Sequence, residues 1–124
     1  MEEEGYVYCM TNPSMPGLVK IGMTTNTPEE RAAELSSATG VPTPFRIEVS
    51  KKVRRPKEKE HAIHELLSVL GFRVNEKREF FNCGLGVVDH LFALIDGTDV
   101  AVGNVAATTA VVRKYAVNVV KEEN

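Results

Sequence analysis

Two short runs with the composition of β-strands lie near the start of the chain, at residues 5–10 (GYVYCM) and 18–23 (LVKIGM). β-Branched and aromatic residues are frequent in both runs. A segment rich in proline and glycine, at 12–17, separates them. This arrangement is typical of two strands joined by a turn. We therefore predict that the chain begins with an antiparallel hairpin.

The predicted hairpin brings a chemically distinctive set of side chains together. Side chains alternate between the two faces of a strand. Tyr6 and Tyr8 therefore share one face of the first strand, and Leu18, Lys20 and Gly22 share one face of the second. Two phenols and an ammonium can then converge. Such a group suits proton transfer beside a developing negative charge.

The first helix has a clear start signal. Thr27 is a favourable N-cap, Pro28 fits the first helical position, and Glu30 completes a capping box. The helix is expected to run to about Ala38 and to end before Gly40, because glycine favours the position after a helix. The apolar positions of this helix are few, so only a narrow stripe is expected to be buried.

A third strand and a second helix follow. The third strand is predicted at about 45–53, with Phe45, Ile47 and Val49 on one face. The second helix is predicted at about 57–70, because Pro56 can open it and Gly71 can close it. Helical spacing relates its apolar residues, which are Ala62, Ile63, Leu66, Leu67 and Leu70.

The remaining chain is less regular. Residues 72–81 are expected to form a short hairpin or an irregular segment, and 86–95 a third helix. The Val- and Ala-rich stretch 100–121 is interpreted as a helix or as a pair of strands. The element order is β-β-α-β-α, followed by C-terminal helices. The sequence thus predicts a small α/β (α+β) domain with a three-stranded antiparallel sheet flanked by helices.

Length and composition limit the possible classes. The 124 residues, 43% of them apolar, suffice for one domain or for one domain and a tail. No run is long and apolar enough to span a membrane. Residues 1–4 are expected to be an acidic leader, which resembles neither a signal nor a transit peptide. Cys9 and Cys83 fit no metal or disulfide spacing, so an intracellular location, in the cytoplasm or nucleus, is expected.

The charge is distributed unevenly along the chain. The net charge of −2 argues weakly against a nucleic-acid partner. Local clusters, however, steer polyanions more than the total charge does. The alternative interpretation is a solvated loop that enters a helix. The cluster in question occupies nine positions and contains Lys51, Lys52, Arg54, Arg55, Lys57 and Lys59.

The hairpin also carries two recognisable triplets, Tyr6-Val7-Tyr8 and Lys20-Ile21-Gly22, with eleven residues between them. They resemble the paired triplets of the GIY-YIG nuclease superfamily, and most closely its DNA-binding branch from phages and large viruses. Glu30-Arg31 and the segments 35–42 and 78–81 are similar to this branch as well. The resemblance covers residues 5–83, which are expected to form the catalytic or DNA-binding domain.

The resemblance implies a set of site residues. Tyr8 matches the tyrosine that acts as general base or positions the attacking water. Lys20 stands where many members have tyrosine, and its ammonium is expected to lower the pKa of Tyr8 or to pair with the phosphate. Arg31 matches the arginine that contacts the phosphate. Glu60 matches the glutamate that holds one divalent metal ion, Mg²⁺ or Mn²⁺.

Four further residues are expected to support this site. Tyr6 holds the glycine position of the first triplet, and Asn82 is a weak candidate for the asparagine that closes the site. His64 lies one helical turn from Glu60 and is a possible ligand, proton shuttle or phosphate contact. Glu79 is expected to support Arg31 or to approach the metal.

These residues also have ordinary structural explanations. Tyr8 can be a strand aromatic, Arg31 a partner of Glu30 or Glu34, and Glu60 part of a surface salt bridge.

Three functions remain open. The first function is a metal-dependent DNA endonuclease that hydrolyses phosphodiester bonds. The second is a DNA-binding module with weak or no cleavage. The third is a protein-interaction domain, in which 84–124 forms a helical extension that packs on the domain or makes a homodimer contact.

Overall fold

The computed structural model describes residues 3–37, 42–75 and 79–100. They form one antiparallel sheet of five strands with three helices packed on it. In chain order the elements are β1 (Glu4–Thr11), β2 (Val19–Thr24), α1 (Pro28–Ser36), β3 (Arg46–Arg54), α2 (Pro56–Val69), β4 (Phe80–Phe81), α3 (Leu85–Leu94) and β5 (Thr98–Asp99).

The strands are ordered β4-β2-β1-β3-β5, so β1 lies at the centre of the sheet. Tyr8 of β1 lies opposite Gly22 of β2 on one side and opposite Ser50 of β3 on the other. The three long strands agree with the predicted ones. The predicted three-stranded sheet is nevertheless incomplete, because β4 and β5 extend it at both edges. Each of these has only two residues, too few for a period-two pattern to be visible.

One face of the sheet, which we call the closed face, is covered by α2 and α3. Its strand residues are apolar, and the helices add branched and aromatic side chains to them. Burial of this surface is the main source of stability in a domain of this size. The buried residues of the cluster are Val7, Cys9, Val19, Ile21, Val53, Ile63, Leu67, Phe81, Cys83, Val88 and Phe92.

The opposite face, which we call the site face, is covered only in part. The nine-residue helix α1 packs Ala32 and Leu35 against a smaller cluster. That cluster consists of Tyr8, Met10, Phe45 and Ile47, with Met15 and Phe80 at its border. Because α1 is short, it does not cover the end of this face that carries Tyr6 and Lys52.

A β-bulge changes the faces predicted for β3. Cys9 lies opposite Val49, but the next residue, Met10, lies opposite Ile47, so Glu48 is the extra residue. A bulge of this kind interrupts the strict alternation of side chains. Ile47 therefore packs on the site face and Val49 against the closed-face cluster. The prediction that these two residues share a face was wrong.

The helix ends agree with the predicted signals. Thr27 Oγ1 accepts a hydrogen bond of 3.2 Å from the backbone N–H of Glu30. After α2, Gly71 has φ +84° and allows a Schellman ending. The N–H of Phe72 donates to the carbonyl of Leu67 over 2.9 Å. The predicted end of α1 at Ala38 and Gly40 lies outside the described residues.

Helix α3 agrees with the helix predicted at 86–95, and its Val88 and Phe92 are buried in the closed-face cluster. The predicted element at 100–121 lies almost wholly outside the described residues, and a dimer contact there stays a prediction. Cys9 and Cys83 are buried free thiols. No helix among the described residues is long and apolar enough to span a membrane.

Candidate functional site

Tyr8 is the centre of the candidate site. Its ring lies on Gly22, where an added Cβ would come within 2.7 Å of Tyr8 Cζ, so glycine is needed at this position. The residue is 1% exposed, and its hydroxyl oxygen accepts a hydrogen bond from the guanidinium of Arg31 on α1. Burial raises the pKa of Tyr8, and Arg31 opposes this rise in part. The site therefore holds a neutral phenol beside a cation.

Lys20 does not have the first of its two expected roles, and its pairing with the phosphate stays a prediction. Its Nζ lies 3.0 Å from Glu79 Oε2 and 5.3 Å from the centre of the Phe80 ring. The cation that hydrogen-bonds to Tyr8 is Arg31, and the pKa of Tyr8 is raised rather than lowered. The expectation that Lys20 lowers this pKa was therefore wrong. The salt bridge is partly buried, since the Lys20 side chain is 10% exposed.

Side chains of α2 complete the hydrogen bonding of the β2 edge. Strand β4 pairs with β2 only at Val19 and Lys20, the first two residues of β2. The backbone groups of the later β2 residues therefore have no strand partner on this side. His64 Nε2 donates to the carbonyl of Ile21 over 2.7 Å. The backbone N–H of Met23 donates to the carboxylate of Glu60. These contacts bring two polar residues of α2 from the closed face to the edge of the site.

The electrostatics of this edge are unusual. Burial, with the nearby charge of Glu79, raises the pKa of Glu60 to about 7, against the opposing effect of Lys20. Burial lowers the pKa of His64. Because a carbonyl can only accept, the Nε2 of His64 carries the hydrogen. Its Nδ1, which lies 4.0 Å from Glu60 Oε1, is then an acceptor in the neutral ring.

Glu60 and Glu79 are the carboxylates at this edge that could take part in holding a divalent cation. The charge of Glu79 disfavours ionisation of Glu60, and a cation between two such carboxylates would remove that effect. Among the described residues, no three His, Cys, Asp or Glu side chains form a group suited to a metal. A metal here would need water and phosphate as its other ligands, which is the behaviour of Mg²⁺.

Arg31 contacts Glu34, a partner that the sequence suggested, and Tyr8, which it did not suggest, whereas Glu79, expected to support Arg31, pairs with Lys20. Its Nη1 lies 3.0 Å from Glu34 Oε2 in an exposed i,i+3 pair, with the arginine side chain 37% exposed. The hydrogen bond with Tyr8 is the largest cause of its raised pKa. The guanidinium thus lies between the buried phenol and solvent, where a phosphate oxygen can reach it.

Of the two weaker candidates, one lies on the site face and one does not join the site. Tyr6 is partly exposed and lies opposite Thr24 of β2 and Lys52 of β3. Asn82 is exposed and follows β4, where its backbone N–H donates to the carbonyl of Phe72. Within the described residues, no hydrogen bond or ion pair joins the Asn82 side chain to Tyr8 or Glu60.

The basic cluster divides between the two faces. Lys51 is 6% exposed, and its Nζ donates to the carbonyl of Phe92 over 2.7 Å at the end of α3. It therefore supports the core and is left out of the nucleic-acid surface predicted from the sequence. Lys57 is exposed in the first turn of α2, and its charge lowers the pKa of Glu60.

Other members of the cluster line a cavity of about 690 Å³ at the end of β3. Four basic side chains and two acidic ones surround it, so its local charge is positive. Lys59, whose Nζ donates to the carbonyl of Arg54 over 2.7 Å, closes it on the side of α2. The charged residues at this cavity are Lys52, Arg54, Arg55, Lys59, Glu4 and Asp96.

Sequence reasoning missed one cation near the site, Arg73. Its guanidinium lies 5.7 Å from the centre of the Phe81 ring, whose other neighbour is the His64 ring at 5.1 Å. The charge of Arg73 contributes to the lowered pKa of His64. No local signal marked this residue, because it lies in the segment whose structure the sequence left open.

Comparisons with known proteins identify the family of the chain. The model of the T5orf172 domain matches residues 5–96, which include the elements from β1 to α3, apart from Glu4, and every site residue predicted from the sequence. Searches of curated proteins and of solved structures found no match. This family match covers well over half of the chain, so the chain belongs to the T5orf172 domain family.

Proposed function

We propose that this protein is a DNA endonuclease of the GIY-YIG type, which hydrolyses phosphodiester bonds with one divalent metal ion. Membership of the T5orf172 family is compatible with a DNA-binding or nuclease-like module. The observation that carries the proposal is the convergence of Tyr8, Arg31 and Glu60 around Gly22 and Met23 of β2. They come from a strand and two different helices, so no local pattern requires them to meet.

Arg31 binds a phosphate oxygen in this proposal. Its guanidinium is always charged and offers several donors, so it can keep the hydrogen bond to Tyr8 while it stabilises charge on the phosphate. The exposed pair with Glu34 contributes little and can be exchanged for a phosphate contact. A substrate phosphate bound by Arg31 therefore lies next to the phenol.

Glu60 is the proposed metal ligand, with Glu79 as the second nearby carboxylate. Mg²⁺ or Mn²⁺ bound there would polarise the phosphate and lower the pKa of the attacking water. The carboxylate form is needed for this, and Glu60 has a pKa of about 7. Activity is therefore expected to rise as the pH increases through about 7.

Tyr8 orients the attacking water. Its raised pKa keeps the phenol neutral at rest, so the hydroxyl can accept a hydrogen bond from water while Arg31 supports developing negative charge on oxygen. A phenol that must lose its proton first would instead give activity that still rises above pH 10. The pH profile thus separates the two roles of Tyr8.

The test is nicking of supercoiled plasmid by the full chain with Mg²⁺ or Mn²⁺. Wild type is compared with Tyr8→Phe, Glu60→Gln and the control Glu65→Gln. Glu65 lies on the same helix and is exposed, 3.7 Å from His61. Loss of at least 100-fold in the first two variants, with the control unchanged, would support the nuclease. Equal nicking by all four proteins would identify a contaminant and refute the proposal.

A DNA-binding module without cleavage is the second candidate. It is favoured by the salt bridge between Lys20 and Glu79, because the charge of the lysine in the second triplet is already neutralised by a carboxylate. This candidate predicts DNA binding that weakens steeply with salt and is not accompanied by nicking under any metal. Binding measured by fluorescence anisotropy at two or more salt concentrations, beside the nicking assay, decides between the two.

A further inference from the structure

The site face continues beyond the proposed catalytic residues as an open surface. The side chains of α1 pack over Tyr8 and Met10, and Tyr6 lies outside that cluster. Tyr6 is partly exposed, two residues from Tyr8 along the same face of β1. No hydrogen bond or ion pair engages its phenol within the part of the chain that the structure describes. An aromatic ring is thus available beside the proposed reaction centre.

A cationic residue lies opposite Tyr6 on the neighbouring strand. Lys52 lies opposite Tyr6 on β3, and its side chain is 51% exposed. Its Nζ is 3.8 Å from Glu4 Oε2, in a pair whose two members are both more than half exposed. Such a pair contributes little and can be exchanged for a phosphate contact. Tyr6 and Lys52 therefore place a partly exposed aromatic residue and an exposed cationic residue opposite each other on the same face of the sheet.

The basic cavity extends the same surface. Lys52 and Glu4 belong to its lining, together with Arg54, which lies opposite Glu4. Two residues of a strand span about 7 Å, comparable to the length of one nucleotide. Tyr8, Tyr6 and Glu4 are thus separated by two steps of nucleotide size along β1, from the proposed site of cleavage to the cavity.

We propose that Tyr6 and Lys52 form a platform that binds an unpaired nucleotide of DNA next to the scissile phosphate. The base stacks on the Tyr6 ring, the adjoining phosphate contacts Lys52, and the strand continues toward Arg54. Stacking needs an exposed base face, which a nucleotide inside a duplex does not offer. This inference rests on the proposed function and deepens it, since it names DNA with an unpaired strand at the cut as the substrate class.

The test measures binding in EDTA, so that it does not depend on cleavage. Full-chain protein is titrated into a fluorescein-labelled 12-nucleotide oligo(dT), and separately into a blunt duplex, and anisotropy is recorded. The variants are Tyr6→Phe, Tyr6→Thr and Lys52→Met. Threonine keeps a high strand preference but removes the ring. Thermal unfolding of each variant checks the fold.

We expect Tyr6→Thr to weaken binding of the single strand by about 5- to 100-fold and to leave duplex binding unchanged. Tyr6→Phe should stay within about twofold of wild type, because the ring is retained. Lys52→Met should reduce the dependence of log K on log salt by about 0.7. A 2-aminopurine in the oligonucleotide should lose fluorescence on binding to wild type and not to Tyr6→Thr.

Three results would overturn the platform: equal binding by Tyr6→Thr and wild type, an equal loss in Tyr6→Phe and Tyr6→Thr, or the same loss for duplex as for single strand. The two proposals fail separately. Plasmid nicking without Tyr6-dependent binding would keep the nuclease and remove the platform. Binding that depends on Tyr6 in a protein that does not nick would keep the platform and remove the nuclease.

Discussion

The closed face and the site face are the two sides of the same sheet but differ in what covers them. Two helices cover the closed face, and its cluster consists of apolar side chains. One short helix covers half of the site face, where Tyr8, Lys20 and Ser50 are buried beside apolar residues. Partial cover leaves polar groups within reach of solvent and ligand. The comparison indicates that stability and chemistry are separated between the two sides of β1.

The largest effect is expected on the closed face. Leu67→Ala removes a side chain that is 0% exposed and should destabilise the protein by about 2–5 kcal/mol. Urea unfolding measures this. Leu70→Ala, at the C-cap of the same helix and 54% exposed, is the control and should change the stability by less than about 1 kcal/mol. Similar losses at both positions would mean that the closed face is not the main core.

The next effect tests the contact between Tyr8 and Gly22 on the site face. Gly22→Ala forces the Tyr8 ring to move and should destabilise the protein by about 1–3 kcal/mol. It should also lower plasmid nicking at least tenfold, because the hydroxyl leaves Arg31. Gly86→Ala, where an added Cβ meets nothing within 4 Å, should be neutral or slightly stabilising. Full activity in Gly22→Ala would disprove the importance of this contact.

The pH dependence of stability should distinguish the edge of β2 from both faces. The pKa of Glu60 is raised to about 7, so the folded state binds this proton more tightly than the unfolded state does. The contribution of Glu60 to stability is therefore fully present below about pH 4.5 and is lost as the pH rises through about 7.

Glu60→Gln keeps the oxygen that accepts from the Met23 N–H and removes the charge. It should be more stable than wild type above pH 7, on the order of 1–3 kcal/mol, and equal to it near pH 4. Thermal unfolding at pH 4, 6 and 8 checks this. Added Mg²⁺ should raise the Tm of wild type at pH 8 and not that of the variant. A Tm difference between the two proteins that does not change with pH would contradict the role of burial.

The smallest effect compares two consecutive lysines of β3 that lie on opposite faces. Lys52→Met, on the site face, should change stability by less than about 0.5 kcal/mol and weaken DNA binding. Lys51→Met, on the closed face, leaves the carbonyl of Phe92 without its donor and should destabilise by about 1–3 kcal/mol. It should not alter the salt dependence of binding. If Lys51→Met weakened DNA binding and Lys52→Met destabilised the protein, the roles assigned to the two lysines would have to be exchanged.

Much of the division between the closed face and the site face could be predicted from the sequence. Tyr6 and Tyr8 were placed on one face by the period-two alternation of a strand, and the register agrees. The same rule, applied to β3, separates Lys51 from Lys52, although both were first assigned to a nucleic-acid surface. It failed at Ile47 and Val49, because a bulge inserts Glu48 between them. A bulge depends on the partner strand and leaves no mark of its own in the sequence.

By itself, the sequence determined the three long strands, the three helices, the N-cap of α1, the glycine after α2, and the candidates for the site. These depend on periodicity and on contacts between residues a few positions apart. The tertiary structure decided that Arg31, and not Lys20, hydrogen-bonds to Tyr8, and that Glu60 and His64 complete the edge of β2. Such partnerships depend on how helices are placed across the sheet. That placement results from burial of the whole core and is not encoded in any single segment.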